Sequence, residues 1–306
     1  MQSRRKFIKQ IGLGTTLVSL SPFQAFCNNT QKQVKLTILH TNDIHSHIEA
    51  FSSGSNKGFG GMLQLSSLVK KIRENEENIL LLDAGDIFQG TPYFNLFGGE
   101  LEFRLMSNIG YDAVTIGNHD FDNGIDGLAS QMHNANFSFI SSNYDFDNTV
   151  LKNKIIQHKI FNKSGIKVGV FGIGVELKGL VDPKLYGNTK YLEPMNVANN
   201  KAHLLKKKLN CDIVICLSHL GFEYKDNKVS DMKLAANTKN IDLIIGGHTH
   251  SFINEPVIVK NSIKKNVLIS QVGFGALKLG KIDFYFGKKT ANFRKSGYVL
   301  DSNVLD

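Results

Sequence analysis

The residues best suited to do chemistry fall in five short blocks: Asp43-Ile44-His45, Gly85-Asp86, Gly117-Asn118-His119-Asp120, Ser218-His219 and Gly246-Gly247-His248-Thr249-His250. Each block follows a short apolar run, so carboxylates, imidazoles and one amide would gather at the carboxyl edge of a sheet, where α/β proteins build sites. These are the ligand types of a two-metal hydrolase, in which cations ~3.5–4 Å apart neutralise a phosphoester and lower the pKa of a bound water. Ions that close together need a bridging anion. Asp86 is the best candidate, because Ala84-Gly85 before it and Gly90 after it let the backbone turn tightly. Asp43 and His45 are two residues apart, so in an extended segment both side chains point the same way, and His248 and His250 repeat that spacing. Mixed nitrogen and oxygen donors suit Zn, Mn, Fe or Co better than Mg or Ca. Asn118 adds a neutral oxygen and His219 a further imidazole. Any one of these residues alone would more often be a turn or cap: Asp43 fits a turn after a strand, and Asn118 tolerates a left-handed backbone. The joint pattern is what points to metal.

The elements that must position these blocks read as buried strands. Apolar runs at residues 36–39, 79–82, 113–116, 137–140, 168–173, 213–217 and 241–245 are short, β-branched or aliphatic and mostly without alternation, which is how strands covered on both faces read. Between them, residues 62–73 place Leu65, Leu68, Val69 and Ile72 on one helical stripe after the Gly60-Gly61 turn. Residues 100–109 predict a second helix with acids in its first turn and Gly110 as its stop. Residues 267–271 and 276–286 flank Val272-Gly273-Phe274-Gly275 and predict an antiparallel hairpin. Mixed sheets with helices outside follow. There is no repeat, low-complexity stretch or interdomain linker.

The chain has 306 residues, 42% of them hydrophobic and 21% charged, which argues for one large globular domain and against disorder or a disulfide scaffold. The formal charge of +9 hints at nucleic acid, but Arg4, Arg5, Lys6 and Lys9 precede any acidic residue in a leader whose removal leaves +5. No basic strip with interleaved aromatics supports nucleic-acid binding, and Lys206-Lys207-Lys208 reads as a solvated helix face. Ser3-Arg4-Arg5-Lys6-Phe7-Ile8-Lys9 precedes an apolar stretch over residues 11–20 that is too short to span a bilayer. It resembles a twin-arginine export signal, matching it at both arginines, Phe7 and Lys9, so residues 1–30 are expected to be a leader and the mature protein periplasmic. Lipidation at Cys27 is disfavoured by the bulky Phe26 before it. Cys211 and Cys216 read as two buried thiols, neither a disulfide nor a metal clip.

Taken together, Thr41-Asn42-Asp43-Ile44-His45, Gly85-Asp86-Ile87-Phe88-Gln89-Gly90, Gly117-Asn118-His119-Asp120-Phe121-Asp122, Ser218-His219-Leu220-Gly221 and Gly246-Gly247-His248-Thr249-His250 resemble the catalytic domain of the 5′-nucleotidase branch of calcineurin-like metallophosphoesterases. The blocks occur in the family's order from residue 36 to about 280. The resemblance implies a four-layer α/β/β/α sandwich of two mixed sheets. It implies that Asp43, His45, Asp86 and His250 hold the first of two divalent ions, and Asp86, Asn118, His219 and His248 the second. His119, oriented by Asp122, is then not a ligand but faces the phosphate, where an acid of this kind contributes ~10²–10⁴ in rate. His40 and His47 are expected beside the site, and His133, His158 and His203 away from it.

In two-domain members a carboxyl-terminal domain stacks the nucleoside base between aromatic residues. Residues 31–306 are expected to form a single metallophosphoesterase domain without it. The expected activity is hydrolysis of phosphomonoesters, 5′-nucleotides among them, by metal-activated hydroxide, with a nucleotide-binding domain supplied in trans or a broad substrate range. A cyclic-nucleotide or nucleotide-sugar phosphodiesterase, and a non-catalytic metal-binding subunit of a two-chain complex, are the alternatives.

Overall fold

The computed structural model describes residues 33–287, together with the backbone of two short strands, β14 (Thr290–Asn292) and β15 (Gly297–Asp301). The expected export leader and Cys27 lie outside the described residues. Among the described residues no helix is long and apolar enough to cross a membrane.

The apolar runs become the centres of two sheets. In the first, β1 (Val34–Thr41), β2 (Ile79–Asp83), β3 (Ala113–Val114) and β4 (Ser138–Phe139) are parallel, and β13 (Lys278–Gly287) closes the other side antiparallel to β1, with β14 and β15 both paired to β13. In the second, β7 (Ile166–Gly174), β9 (Ile213–His219), β10 (Leu243–Gly246) and β12 (Asn266–Ser270) are parallel, with β6 (His158–Lys163) and β11 (Val257–Lys260) antiparallel at the edges. A minor pair joins β5 (Tyr144–Asp145) to β8 (Lys190–Tyr191).

Three apolar clusters hold the layers together. Side chains alternate along each strand, so in β9 Ile213, Ile215 and Leu217 pack between the sheets against Leu36, Ile38, Leu80 and Leu82, while Val214 and Cys216 face the helices. The outer face of the first sheet carries α1 (Met62–Arg73), α2 (Pro92–Phe97), α3 (Glu100–Ile109) and α4 (Gly124–Gln131), through Leu65, Phe94, Phe103 and Leu128. The outer face of the second carries α6 (Pro194–His203) and α7 (Asp231–Asn237), through Ala198, Ala202 and Leu234. A one-turn helix, α5 (Pro183–Tyr186), caps the connection after β7, its Asp182 side chain accepting from the Lys184 amide. This is the expected four-layer sandwich of two mixed sheets. Gly110 ends α3 in the left-handed conformation, as its position predicts.

One expectation is corrected. The segments at 267–271 and 276–286 do not pair with each other: β12 joins the second sheet beside β10, and β13 joins the first beside β1. Alternation shows that a segment is extended but not which strand completes its hydrogen bonds, and here the Val272-Gly273-Phe274-Gly275 link crosses between sheets. Cys211 and Cys216 are buried free thiols, with Cys211 lying before the start of β9. Of the three consecutive lysines, Lys206 leaves the solvated face to reach Asp242 Oδ2 at 2.9 Å.

Candidate metal centre

Parallel strands in both sheets point their carboxyl ends the same way, and five loops meet there. His219 ends β9, Asp86 follows β2, Asn118 follows β3, Asp43 follows β1, and His248 and His250 follow β10. The loops are laced by main-chain hydrogen bonds: Asp43 N–H donates to Gly85 O (2.9 Å), His45 N–H to Asp86 O (3.0 Å), and Gly275 N–H to Asp43 O (2.7 Å). The backbone is not extended where the paired spacings suggested it would be. Asp43, His45, Asp86, His248 and His250 all have positive φ, from 49° to 73°, so tight turns rather than a strand's two-residue repeat bring Asp43 together with His45 and place His248 and His250 apart. Such conformations cost of order 1–3 kcal/mol each and persist where the surroundings over-determine them. Gly117 permits close packing against the second block: a Cβ there would lie 2.2 Å from Asp86 Oδ1.

The side chains assemble into two groups whose potential donor atoms lie within 4.8 Å of one another: Asp43, His45 and His250, then Asp86, His219 and His248. Both carboxylates sit between the groups. Asp86 Oδ2 is 3.0 Å from His219 Nε2 and 3.9 Å from His45 Nε2. Asp43 Oδ1 is 3.4 Å from His250 Nε2 and 4.0 Å from His219 Nε2. Asn118 is buried beside Asp86, with its Oδ1 unpartnered.

The surroundings fix which imidazole nitrogen faces inward. His219 Nδ1–H donates to Ala84 O at 2.7 Å, and His45 Nδ1–H to the carbonyls of Phe88 and Gln89 at 3.3 and 3.2 Å. Both Nε2 atoms therefore point into the site, the orientation main-chain carbonyls impose on metal-binding histidines. His45 Nε2 and His250 Nε2 face each other at 3.0 Å. Burial opposes charge on His219, but Asp86 and Asp43 outweigh it and lift its pKa to about 10. Burial likewise opposes charge on Asp86, yet His219, His45 and His119 hold its carboxyl well below the usual range. Burial and the neighbouring His219 push His248 down to about 4. Inward-facing imidazole nitrogens, an orphaned amide oxygen and two buried carboxylates form a ligand set that fits divalent cations of the borderline kind.

His119 stands apart from both groups. Its ring centroid is 5.3 Å from that of His45, and its Nδ1 is 2.8 Å from Asp122 Oδ2. That hydrogen bond raises its pKa against the smaller opposing effect of burial. His47 and His40 flank the first block without joining it: His47 stacks on Phe51, and the fully buried His40 pairs with Ser270 Oγ. His133, His158 and His203 are elsewhere, on Met132–Asn134, β6 and α6.

Two supporting residues went unassigned at the level of sequence. Asp120 accepts from the backbone N–H of Gly117, Asp86, Ile87 and Phe88, fixing two of the loops. Asn42 donates to Asp43 Oδ2 and Gly273 O while accepting from Val272 N–H, tying the first block to the intersheet link. The signal for Asp120 was its position inside the third block; nothing in sequence marks Asn42's distant partners.

A two-sheet sandwich whose strand ends converge on paired His/Asp groups is the architecture of a metal-dependent hydrolase. The chain belongs to the calcineurin-like phosphoesterase family, whose model matches residues 36–252. It is 32% identical to snake venom 5′-nucleotidase from Gloydius brevicauda, over 89% of this chain and 49% of that protein. It is 35% identical to the 5′-nucleotidase of Vibrio parahaemolyticus, over 78% of this chain and 43% of that one. Among solved structures, the 5′-nucleotidase precursor from Thermus thermophilus matches with a TM-score of 0.76 and 29% identity, covering 88% of this chain and 54% of that one. The NAD nucleotidase of Haemophilus influenzae matches at 0.78 and 27%, covering 88% and 57%. The chain thus spans about half the length of the relatives it matches.

Proposed function

We propose that this chain is an exported, dinuclear metal-dependent phosphomonoesterase whose substrates include 5′-nucleotides. The observation that carries the reading is the facing pair of groups, Asp43/His45/His250 and Asp86/His219/His248, with His119 beside them and joined to neither. Under this reading Asp43, His45, Asp86 and His250 hold one ion, and Asp86, Asn118, His219 and His248 the other. Ions of the Zn, Mn, Fe or Co kind, when bound, polarise phosphoryl oxygens and make water nucleophilic at neutral pH.

The chain's own residues do the rest. Asp122 fixes the ring of His119 through Nδ1, so a proton on Nε2 is available to the departing ester oxygen. Asp120 keeps the Asp86 and Asn118 loops in register through its four N–H donors. Residues 31–306 form the phosphoesterase domain in this proposal, and residues 1–30 direct the chain to the periplasm through the Arg4-Arg5 pair.

The test is a substrate panel on metal-reconstituted protein: a nucleoside 5′-monophosphate, glycerol phosphate, a cyclic nucleotide and an unstrained diester. Hydrolysis of the monoesters, reduced ~10²–10⁴-fold by His119→Ala, is expected. Preference for a diester would replace the monoesterase reading, and no turnover of any substrate would remove it.

A further inference from the structure

Beside the metal centre lies a cavity of about 550 Å³ between the loop after the first block and the start of α2. Its aromatic walls are Phe51 on the loop and Tyr93 on α2, with Leu96 and Pro92 at the rim and Glu49 and Thr91 as polar groups. Leu96 is 76% exposed, so this apolar surface faces solvent.

Two packing contacts place the cavity next to the site. Gly90 forms part of its wall and is pressed against the main chain of His45: a Cβ there would lie 2.6 Å from His45 O. On the other side an aromatic series leads inward. His47 and Phe51 stack at 4.2 Å, Phe274 meets Phe51 edge-on at 5.8 Å, and Phe274 stacks on His250 at 5.1 Å. A wall residue of the cavity is therefore separated from a residue of the metal centre by a single aromatic ring.

We infer that this cavity receives the leaving group of the substrate, and that its chemistry selects a neutral group bearing a flat ring system, such as a nucleoside. The inference rests on the phosphoesterase reading above and supplies it with a specificity device inside the catalytic domain itself. The volume falls within the range of small-molecule sites, which are mainly apolar with a few polar groups to orient the ligand. Phe51 and Tyr93 provide ring faces for stacking. The Tyr93 hydroxyl faces the Glu49 carboxylate, so an acceptor for ring amino groups or ribose hydroxyls stands at the edge of the aromatic wall. Among the described residues no Lys or Arg lines the cavity, which disfavours leaving groups carrying further phosphates or a carboxylate.

Two measurements test the inference on the full chain. Calorimetric titration of adenosine into metal-free protein reads the cavity without turnover. Binding should be detectable and weakened tenfold or more in Phe51→Ala and, independently, in Tyr93→Ser, a change at a half-buried position. Kinetics of metal-loaded protein should show the same variants raising KM for a nucleoside 5′-monophosphate at least tenfold more than they raise it for glycerol phosphate. Absence of adenosine binding, or equal losses on both substrates, overturns the inference. Wild-type hydrolysis of glycerol phosphate reports separately on the phosphoesterase reading.

Discussion

His119 Nδ1 lies 2.8 Å from Asp122 Oδ2, the two residues being three apart on one turn that begins immediately after Asn118. The carboxylate raises the imidazole pKa, burial opposing it less strongly, so the protonated ring persists to higher pH than an ordinary histidine. If His119 acts as the acid, kcat/KM falls on the alkaline side as the ring loses its proton. Asp122→Asn removes the supporting charge, and the alkaline limb of the pH–kcat/KM profile is expected to move to lower pH. An unmoved limb would show that another group sets it.

Asp86 and Asp43 both stand between the two donor groups, but only Asp86 approaches His219 as closely as 3.0 Å. Elemental analysis of protein loaded with Zn or Mn is expected to give two ions per chain. Asp86→Ala should lose both, because it removes the one anion argued to be shared, whereas His250→Ala should retain one. Chelation should lower Tm, since an ion at ~1,000 times its Kd contributes about 4 kcal/mol to stability. Equal stoichiometry in the two variants would argue against a bridging Asp86.

Much of this site was legible because its residues directly follow strand-forming runs, and strand direction then places them without further information. Helices α1 and α3 were legible, α1 from the Gly60-Gly61 entry and the stripe that includes Leu65, and α3 from its first-turn acids and the Gly110 stop. What the chain hid was non-local. The left-handed backbone at Asp43 and His45 is tied by hydrogen bonds to other loops, up to some 230 residues away, as from Gly275 N–H to Asp43 O. The separation of β12 and β13 into different sheets depends on β1 and β10 offering free edges, a property of the assembled sheets. The strands at 113–116 and 137–140 shorten to two residues each.

Asp120 is fully buried and accepts four backbone N–H groups from two loops. Removing such an acceptor strands buried donors, at roughly 1–3 kcal/mol each where they find no substitute. Asp120→Ala is expected to destabilise the metal-free protein by about 2–5 kcal/mol in urea unfolding. It should also weaken metal binding, because the Asp86 and Asn118 loops lose their common anchor. A variant as stable as wild type with unchanged metal content would reduce Asp120 to a bystander.

Far from the site, Asp283 on β13 offers an acid-sensitive contact within the first sheet. Its carboxylate accepts from Thr37 Oγ1 at 2.8 Å and Lys281 Nζ at 2.9 Å, and lies 3.2 Å from Lys35 Nζ. Burial alone would raise its pKa, but these partners outweigh burial and lower it. A carboxyl whose folded pKa is depressed contributes stability that is fully present above its unfolded value, near ~3.9, and is lost as pH falls through the folded value. The residue is only 4% exposed, so solvent screening is slight. Asp283→Asn is therefore expected to cost about 1–3 kcal/mol at neutral pH. It should also flatten the decline in unfolding free energy below about pH 4. Parallel wild-type and variant curves through that acid range would show that the β1–β13 pairing does not depend on this charge.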